Sequence, residues 1–292
     1  MSVLAEVQQS IQGVRGKLEK AVVGVGNHRG IGSGVVIADG RILTNAHNLR
    51  GDEVTVTFFD GRSEQATVLG VDVDGDIAVL QADTKGIAPV EWNGGEPEIG
   101  DPVFALSNPG GNGLRVTVGY ISGTQRSFRG PRGRRIAGSV EHTSPLLPGS
   151  SGGPAVDPDG KLLGINTNRL GEGFYLAIPA DASLRARVDK LSRGETPTRP
   201  RLGVGIVPPE VARGLRRSVG LPDADGLLVR FVEDDSPAAH AGIEQGDLIT
   251  AAGGMTLANA DQLHDALEQA GKTLELTVVR GTEQRTVNVT LG

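Results

Sequence analysis

Apolar positions change period twice along this chain, and each change marks a different kind of element. From residue 3 to 18 they fall at Val3, Leu4, Val7, Ile11, Val14 and Leu18. These steps of three and four put one stripe along a helix. Gly13 and Gly16 weaken it. The stripe reads as a face docked on the body of the protein, with an oligomer contact as the alternative. From Ala21 the pattern turns to short β-branched runs: Val22-Val23, Val35-Val36-Ile37, Ile42-Leu43-Thr44, Val54 to Phe58, Ala66 to Leu69 and Ile77 to Leu80. Turn signals separate them, among them Asn27 to Gly34, Asp39-Gly40, Arg50-Gly51-Asp52 and Asp60-Gly61. A second set repeats the layout: Val103 to Leu106, Leu114 to Ile121, Ile136 to His142, Ala155-Val156, Leu162 to Thr167 and Phe174 to Ile178. Short strands at this spacing predict a mainly β fold of two six-stranded antiparallel barrels. A cleft between two barrels is a natural place for chemistry.

The second change follows Ile178. Pro179 to Leu191 reads as a helix with Leu184 and Val188 on one face, and residues 193–200 read as a linker. A third unit begins at Arg201, with strands near Leu202–Val207, Leu227–Val232, Asp247–Ala251, Leu274–Arg280 and Gln284–Leu291. A short helix is expected at Pro237–Ala241. A longer one spans Asn259–Ala270, with Asn259 as N-cap and Gly271 just past its end. The expected organisation is an N-terminal helix (1–20), a two-barrel domain (21–192), the linker (193–200) and a C-terminal domain (201–292).

Composition narrows the chemistry. Hydrophobic content of 38% and charge of 22% fit a globular protein, and a net charge of −6 argues against general nucleic-acid binding. With no cysteine, thiolate chemistry, disulfides and Cys-built zinc sites are excluded. No run reaches the roughly 18 apolar residues of a membrane span. Met1 to Lys20 lacks the pattern of a secretory signal. The chain as written is therefore expected to be cytoplasmic, with an extracytoplasmic location as the alternative if the N-terminus is trimmed. No P-loop suggests ATP use, and no cofactor or metal is called for.

The stretch Pro148-Gly149-Ser150-Ser151-Gly152-Gly153-Pro154 can expose a serine hydroxyl on a tight turn and aim backbone N–H groups at one point. An acyl-transfer enzyme needs both. A plain turn is the rival reading, so a histidine and a carboxylate must be found elsewhere. His47 ends the predicted strand Ile42–Thr44. Asp72, Asp74 and Asp76 compete ahead of Ile77–Leu80. Asp76 is the best placed, because it abuts the buried run and can be held rigid as an orienting acid. The order His47, Asp76, Ser151 is that of chymotrypsin-like barrels and not of subtilisin or the α/β-hydrolases.

These pieces resemble the HtrA (Deg) serine proteases, which join a chymotrypsin-like domain to C-terminal PDZ domains. The resemblance rests on Gly32 to Ile37, Leu43 to His47, Asp76 to Leu80, Asn108-Pro109-Gly110, Val116 to Gly119, Pro148 to Pro154, Gly164 to Thr167 and Ala177-Ile178-Pro179. It implies His47 as general base, Asp76 as its orienter and Ser151 as nucleophile, with an oxyanion hole from the N–H groups of Gly149 and Ser151. It also implies an ATP-independent endopeptidase acting on unfolded or damaged protein. A latent-triad chaperone or peptide-binding scaffold is the alternative. The chain departs from the family at Ser150 (usually Asn), Leu146-Leu147 (usually Ile-Asn) and Asn48 (usually aliphatic). The expected substrate-pocket walls are Leu146, Leu147, Asn166, Thr167, Asn168 and Arg169. They suit a small or medium aliphatic P1 residue, and Arg169 offers an acidic P1 as the alternative.

Arg201-Leu202-Gly203-Val204 looks like the carboxylate-binding loop of an HtrA-type PDZ domain. It implies capture of peptide C-termini by Leu202, Gly203, Val204 and Ile206, opposite Leu263 and Leu267 of the helix. Ser236 to Gly242 followed by Gly246 to Ile249 is a second PDZ mark, and His240 and His264 read as surface positions. Arg126, Arg129, Arg132, Arg134 and Arg135 form a basic loop where the family places its regulatory sensor loop; nucleic acid is not expected as a partner. The family often trimerises through N-terminal aromatics. A homotrimer is implied here too, but this chain has no aromatic before Phe58.

Overall fold

A computed structural model describes residues 2–27, 30–49, 54–93, 95–130, 135–171, 173–195, 200–207 and 209–291. The chain forms two compact units, Met1–Pro197 and Thr198–Gly292.

The first unit opens with α1 (Val3–Leu18), capped by the Ser2 side chain. Val14 and Leu18 are buried, whereas Leu4 and Val7 are exposed. The C-terminal half of the stripe is thus the docked part, whereas the expected face ran the whole length of the helix. Six strands follow: β1 (Val22–Asn27), β2 (Gly30–Ala38), β3 (Arg41–Thr44), β4 (Val54–Thr57), β5 (Ser63–Asp72) and β6 (Ile77–Gln81). They close in the order β1-β2-β3-β6-β5-β4. Then come β7 (Pro102–Ser107), β8 (Arg115–Arg129), β9 (Arg135–His142), β10 (Pro154–Val156), β11 (Leu162–Gly171) and β12 (Phe174–Pro179). They close as β10-β11-β12-β9-β8-β7, the same winding. Full closure leaves no free sheet edge in either barrel.

Each barrel has its own apolar cluster. Val23, Val25, Ile42, Val56, Phe58 and Leu80 belong to the first, and Val103, Ile121, Val140 and Leu163 to the second. A third and larger cluster joins the barrels, with Leu43, Ile77 and Val79 meeting Phe104, Leu106, Ile165 and Ile178. Helix α2 (Ala182–Ser192) adds Leu184, Val188 and Leu191 to it. Its N-cap is Asp181, so the helix starts three residues later than the sequence predicts. Pro179 and Ala180 belong to the strand end and turn.

The second unit holds a sheet with strand order β13-β14-β15-β17-β18, built from Val204–Val207, Leu227–Val232, Leu248–Ala252, Thr273–Arg280 and Glu283–Thr290; β16 (Met255–Thr256) pairs with β15. Helices α4 (Pro237–His240) and α5 (Ala260–Gln269) match expectation. Asn259 and Gln262 form a capping box at the start of α5. Helix α3 (Pro209–Ser218) is not foreseen, because its prolyl start, Gly214 and dense charge read as a loop. The basic-loop residues Arg132 and Arg134, and positions 196–199 of the expected linker, lie outside the described residues. Arg129 and Arg135 pair across β8 and β9, and Arg126 meets Glu141 at 3.3 Å.

Candidate active site

His47 lies in a single turn of helix (Ala46–Asn48) directly after β3, and Asp76 lies directly before β6. Strands β3 and β6 are hydrogen-bonded neighbours, with Thr44 opposite Ala78. Pairing therefore brings the two residues together although they are 29 positions apart. Asp76 has a positive φ of 52°, uncommon for a residue with a side chain, and is 2% exposed. Four contacts hold it. Its carboxylate lies 2.9 Å from His47 Nδ1 through both oxygens, and accepts the His47 N–H at 3.1 Å and the Thr167 hydroxyl at 2.7 Å. Its backbone carbonyl accepts from Asn45 Nδ2 at 2.8 Å. A buried carboxylate needs such donors. They also fix the imidazole with its Nδ1–H on Asp76, leaving the Nε2 lone pair free. The rival acids are used otherwise: Asp72 accepts from the Gly75 N–H and pairs with Arg187.

The serine turn is anchored through its carbonyls. Ser33 Oγ donates to Gly149 O at 2.8 Å, Gly153 N–H to Ser150 O at 3.1 Å, and Ser33 N–H to Ser151 O at 2.9 Å. The Ser150 hydroxyl donates to Ser107 Oγ at 3.1 Å in a buried contact, so the departure at this position is accommodated by a short polar partner. Gly149 has φ 86°, and a Cβ there would come within 2.7 Å of Pro109 Cβ, so glycine is required. Among the described residues the N–H groups of Gly149 and Ser151 have no intramolecular acceptor. An oxyanion needs two donors of this kind.

The Ser151 hydroxyl donates to Thr167 O at 2.9 Å, and no hydrogen bond joins it to His47. Thr167 therefore touches both halves of the site, through its hydroxyl to Asp76 and its carbonyl to Ser151. The sequence assigns it to a pocket wall. Strand alternation, which puts Thr167 and Asn166 on opposite faces, is the signal for its other role. Of the other expected pocket residues, Leu147 is exposed, Leu146 is half-buried and Asn166 is buried. The side chains of Asn168 and Arg169 lie outside the described residues.

One polar pair beside the site goes unnoticed in the sequence. His142 and Asn166 are fully buried, with His142 Nε2 3.0 Å from Asn166 Oδ1 and the imidazole stacked on Tyr175. Burial pushes the imidazole down to about 4, against a smaller upward pull from the Asn166 bond. Among the described residues, His142 Nδ1 and Asn166 Nδ2 have no hydrogen-bond partner.

In the second unit, β13 pairs on one side with β14 and ends the sheet. Gly203 has φ 76°, and a Cβ there would meet Ser236 Cβ at 2.3 Å. Among the described residues the N–H groups of Leu202 and Gly203 have no intramolecular acceptor. Val204 and Ile206 are half-buried, whereas Leu263 and Leu267 sit in the core of the unit. His240 is exposed and His264 half-buried.

Two barrels with a Ser, His and Asp at their junction have the architecture of a trypsin-like peptidase domain, and the second unit presents an open edge strand. Comparison with known proteins agrees. Residues 32–165 match the trypsin-like peptidase domain and residues 200–291 match the PDZ domain. A DegP-like periplasmic serine endoprotease of Halomonas elongata is 35% identical over 90% of this chain and 56% of its own length. A serine protease named HhoA of Synechocystis sp. is 35% identical over 89% of this chain and 70% of its own length. The crystal structure of a serine endoprotease from Yersinia pestis matches with a TM-score of 0.68 at 29% identity, covering 96% of this chain and 97% of that one. The HtrA-type protease AlgW with a decapeptide also scores 0.68, at 26% identity over 97% and 98% of the two chains. The chain belongs to the HtrA/DegP family of serine endoproteases, and spans little more than half the length of the Halomonas relative.

The expectation of a cytoplasmic location is corrected by these relatives. The Halomonas protein and its Brucella counterparts are named periplasmic, which points outside the cytoplasm. The expectation rested on the missing leader pattern in Met1–Lys20, and that absence says nothing about where the folded enzyme works.

Proposed function

We propose that this protein is an extracytoplasmic, ATP-independent endopeptidase that cuts unfolded or damaged protein through Ser151, His47 and Asp76. The observation that carries the reading is the Asp76 carboxylate on His47 Nδ1 at 2.9 Å, beside a serine turn whose Gly149 and Ser151 N–H groups have no acceptor among the described residues. In the reaction the Ser151 hydroxyl turns from Thr167 O to His47 by a change of χ1 rotamer. His47 Nε2 takes its proton while Oγ bonds to the scissile carbonyl carbon. The carbonyl oxygen becomes an oxyanion held by the two N–H groups, each worth about 3–4 kcal/mol in the transition state. His47⁺, stabilised by Asp76, then protonates the departing amine as the C–N bond breaks. Water, deprotonated by the same imidazole, releases the acid and restores Ser151.

The second unit is proposed to bind a peptide C-terminus, its carboxylate on the Leu202 and Gly203 N–H groups and its strand beside β13. Such binding would regulate the protease. The AlgW complexes with a decapeptide and a tripeptide support a peptide-binding role in this family.

Casein digestion by the wild type and by Ser151→Ala, with and without a peptide ending in a hydrophobic residue, tests the proposal. Cleavage by the wild type alone, accelerated by the peptide, is expected. Equal inertness under every condition would leave only the chaperone or scaffold reading.

A further inference from the structure

Asn48 stands next to His47 at the end of the same turn. Its carboxamide nitrogen donates to Ser151 O at 2.9 Å and to Thr44 Oγ1 at 3.0 Å, with Ser33 O at 3.5 Å. The orientation of the amide follows from its partners. A carbonyl only accepts, and the Thr44 hydroxyl has already given its proton to Ser33 O at 2.7 Å. Two glycines make the room. A Cβ on Gly32 would come within 2.4 Å of Asn48 Cγ, and one on Gly152 within 2.9 Å of Asn48 Nδ2.

We infer that Asn48 is a positioning residue that fixes the backbone of the nucleophile to the residue next to the base. The inference rests on the roles proposed above for His47 and Ser151. The first barrel carries His47 and the second carries Ser151. Apolar packing holds the barrels together but does not by itself fix directions. Asn48 adds a direct tether: one peptide bond from His47 and one hydrogen bond reach the Ser151 carbonyl. Gly153 N–H holds Ser150 O at 3.1 Å on the other side, and Ser33 N–H shares Ser151 O at 2.9 Å. The backbone of Ser151 is thus confined between two anchored peptides, and its hydroxyl moves mainly by rotation about its own Cα–Cβ bond. An aliphatic side chain at position 48 could fill the space but could not hold the carbonyl. A shift of about 1 Å in a reacting group can cost roughly a hundredfold in rate. Asn48 touches the turn through Ser151's backbone carbonyl, so the effect falls on kcat and leaves KM nearly unchanged.

The test is steady-state hydrolysis of fluorescein-labelled casein by the full chain: wild type, Ser151→Ala, Asn48→Leu and Asn48→Asp, from pH 5 to pH 8. Asn48→Leu, which keeps the bulk and loses the donors, is expected to lower kcat roughly ten- to a hundredfold with KM within about twofold. Asn48→Asp is expected to be poor at pH 8, where a carboxylate faces carbonyl oxygens. The half-buried site and its facing carbonyl oxygens disfavour the carboxylate, so its kcat relative to wild type should rise toward pH 5 as the acid takes up a proton and regains a donor. That ratio is read on a second variant, so it decides the matter even if Asn48→Leu fails to fold. An unchanged kcat in Asn48→Leu, a loss confined to KM, or a flat Asn48→Asp ratio would overturn the inference while wild-type activity left the protease reading standing. A wild type as inert as Ser151→Ala would overturn both.

Discussion

The two barrels of the first unit wind their strands in the same order and bury different things. The first is filled by Val23, Val25, Ile42, Val56, Phe58 and Leu80; near its strand ends it buries Thr44, Asp72 and Thr84 with hydrogen-bond partners and Asn45 with an Oδ1 that has none among the described residues. The second has a smaller apolar cluster of its own and encloses His142 against Asn166, each with a buried nitrogen that has no partner among the described residues. A buried polar atom without a partner costs about 1–3 kcal/mol. The difference is one of kind: the barrel behind the serine turn encloses an imidazole that burial holds at about 4, and pH should act there.

The sharpest break in this comparison is at the acid. Asp76→Asn keeps the shape of the site but favours the wrong imidazole tautomer, and kcat should fall roughly 10⁴-fold without loss of fold, read by casein hydrolysis beside circular dichroism. Next, Phe58→Ala should cost about 3–5 kcal/mol by denaturant unfolding, because the first barrel cannot collapse around the void. Val140→Ala, in the second barrel, removes fewer atoms and should cost less. Equal losses would contradict the contrast.

His142 supplies the pH arm. Its imidazole is held at about 4 in the folded protein, against about 6.5 when exposed. Between those values the unfolded chain takes up a proton that the folded one refuses. Stability should thus fall as pH drops from about 6.5 to 4, by about 3 kcal/mol in all, and level off below. His142→Leu should remove that slope in urea unfolding monitored across pH. A slope that survives would place the sensitive group elsewhere. The smallest expected effect is at the seam between the barrels. Thr167→Val removes a hydroxyl that crosses from the second barrel to Asp76, and kcat should drop about tenfold, near 1.4 kcal/mol.

The strands of both barrels are legible in the sequence because they are short, mostly β-branched apolar runs, several buried along their whole length such as Ile77–Leu80 and Val103–Leu106, and the turns between them carry glycine and aspartate. The encounter of His47 and Asp76 is legible for the same reason, since each lies at the end of a predicted strand. Contacts that cross a strand are not. His142 and Asn166 meet over β12, and no local pattern links β9 to β11. Thr167 and Asn48 read as a pocket wall and an oddity until the fold places them on Asp76 and on Ser151. Helix α3 hides for a local reason, since its apolar residues Val211 and Leu215 stay half exposed beside charged neighbours.

The central claim is that Ser151 is a nucleophile activated by His47 and Asp76, and covalent labelling tests it most directly. A fluorophosphonate should form one adduct, mapped to Ser151 by peptide mass analysis. The adduct should be absent in Ser151→Ala and should form far more slowly in Asp76→Asn. An adduct at another residue, or a labelling rate at Ser151 indifferent to Asp76→Asn, would contradict the account.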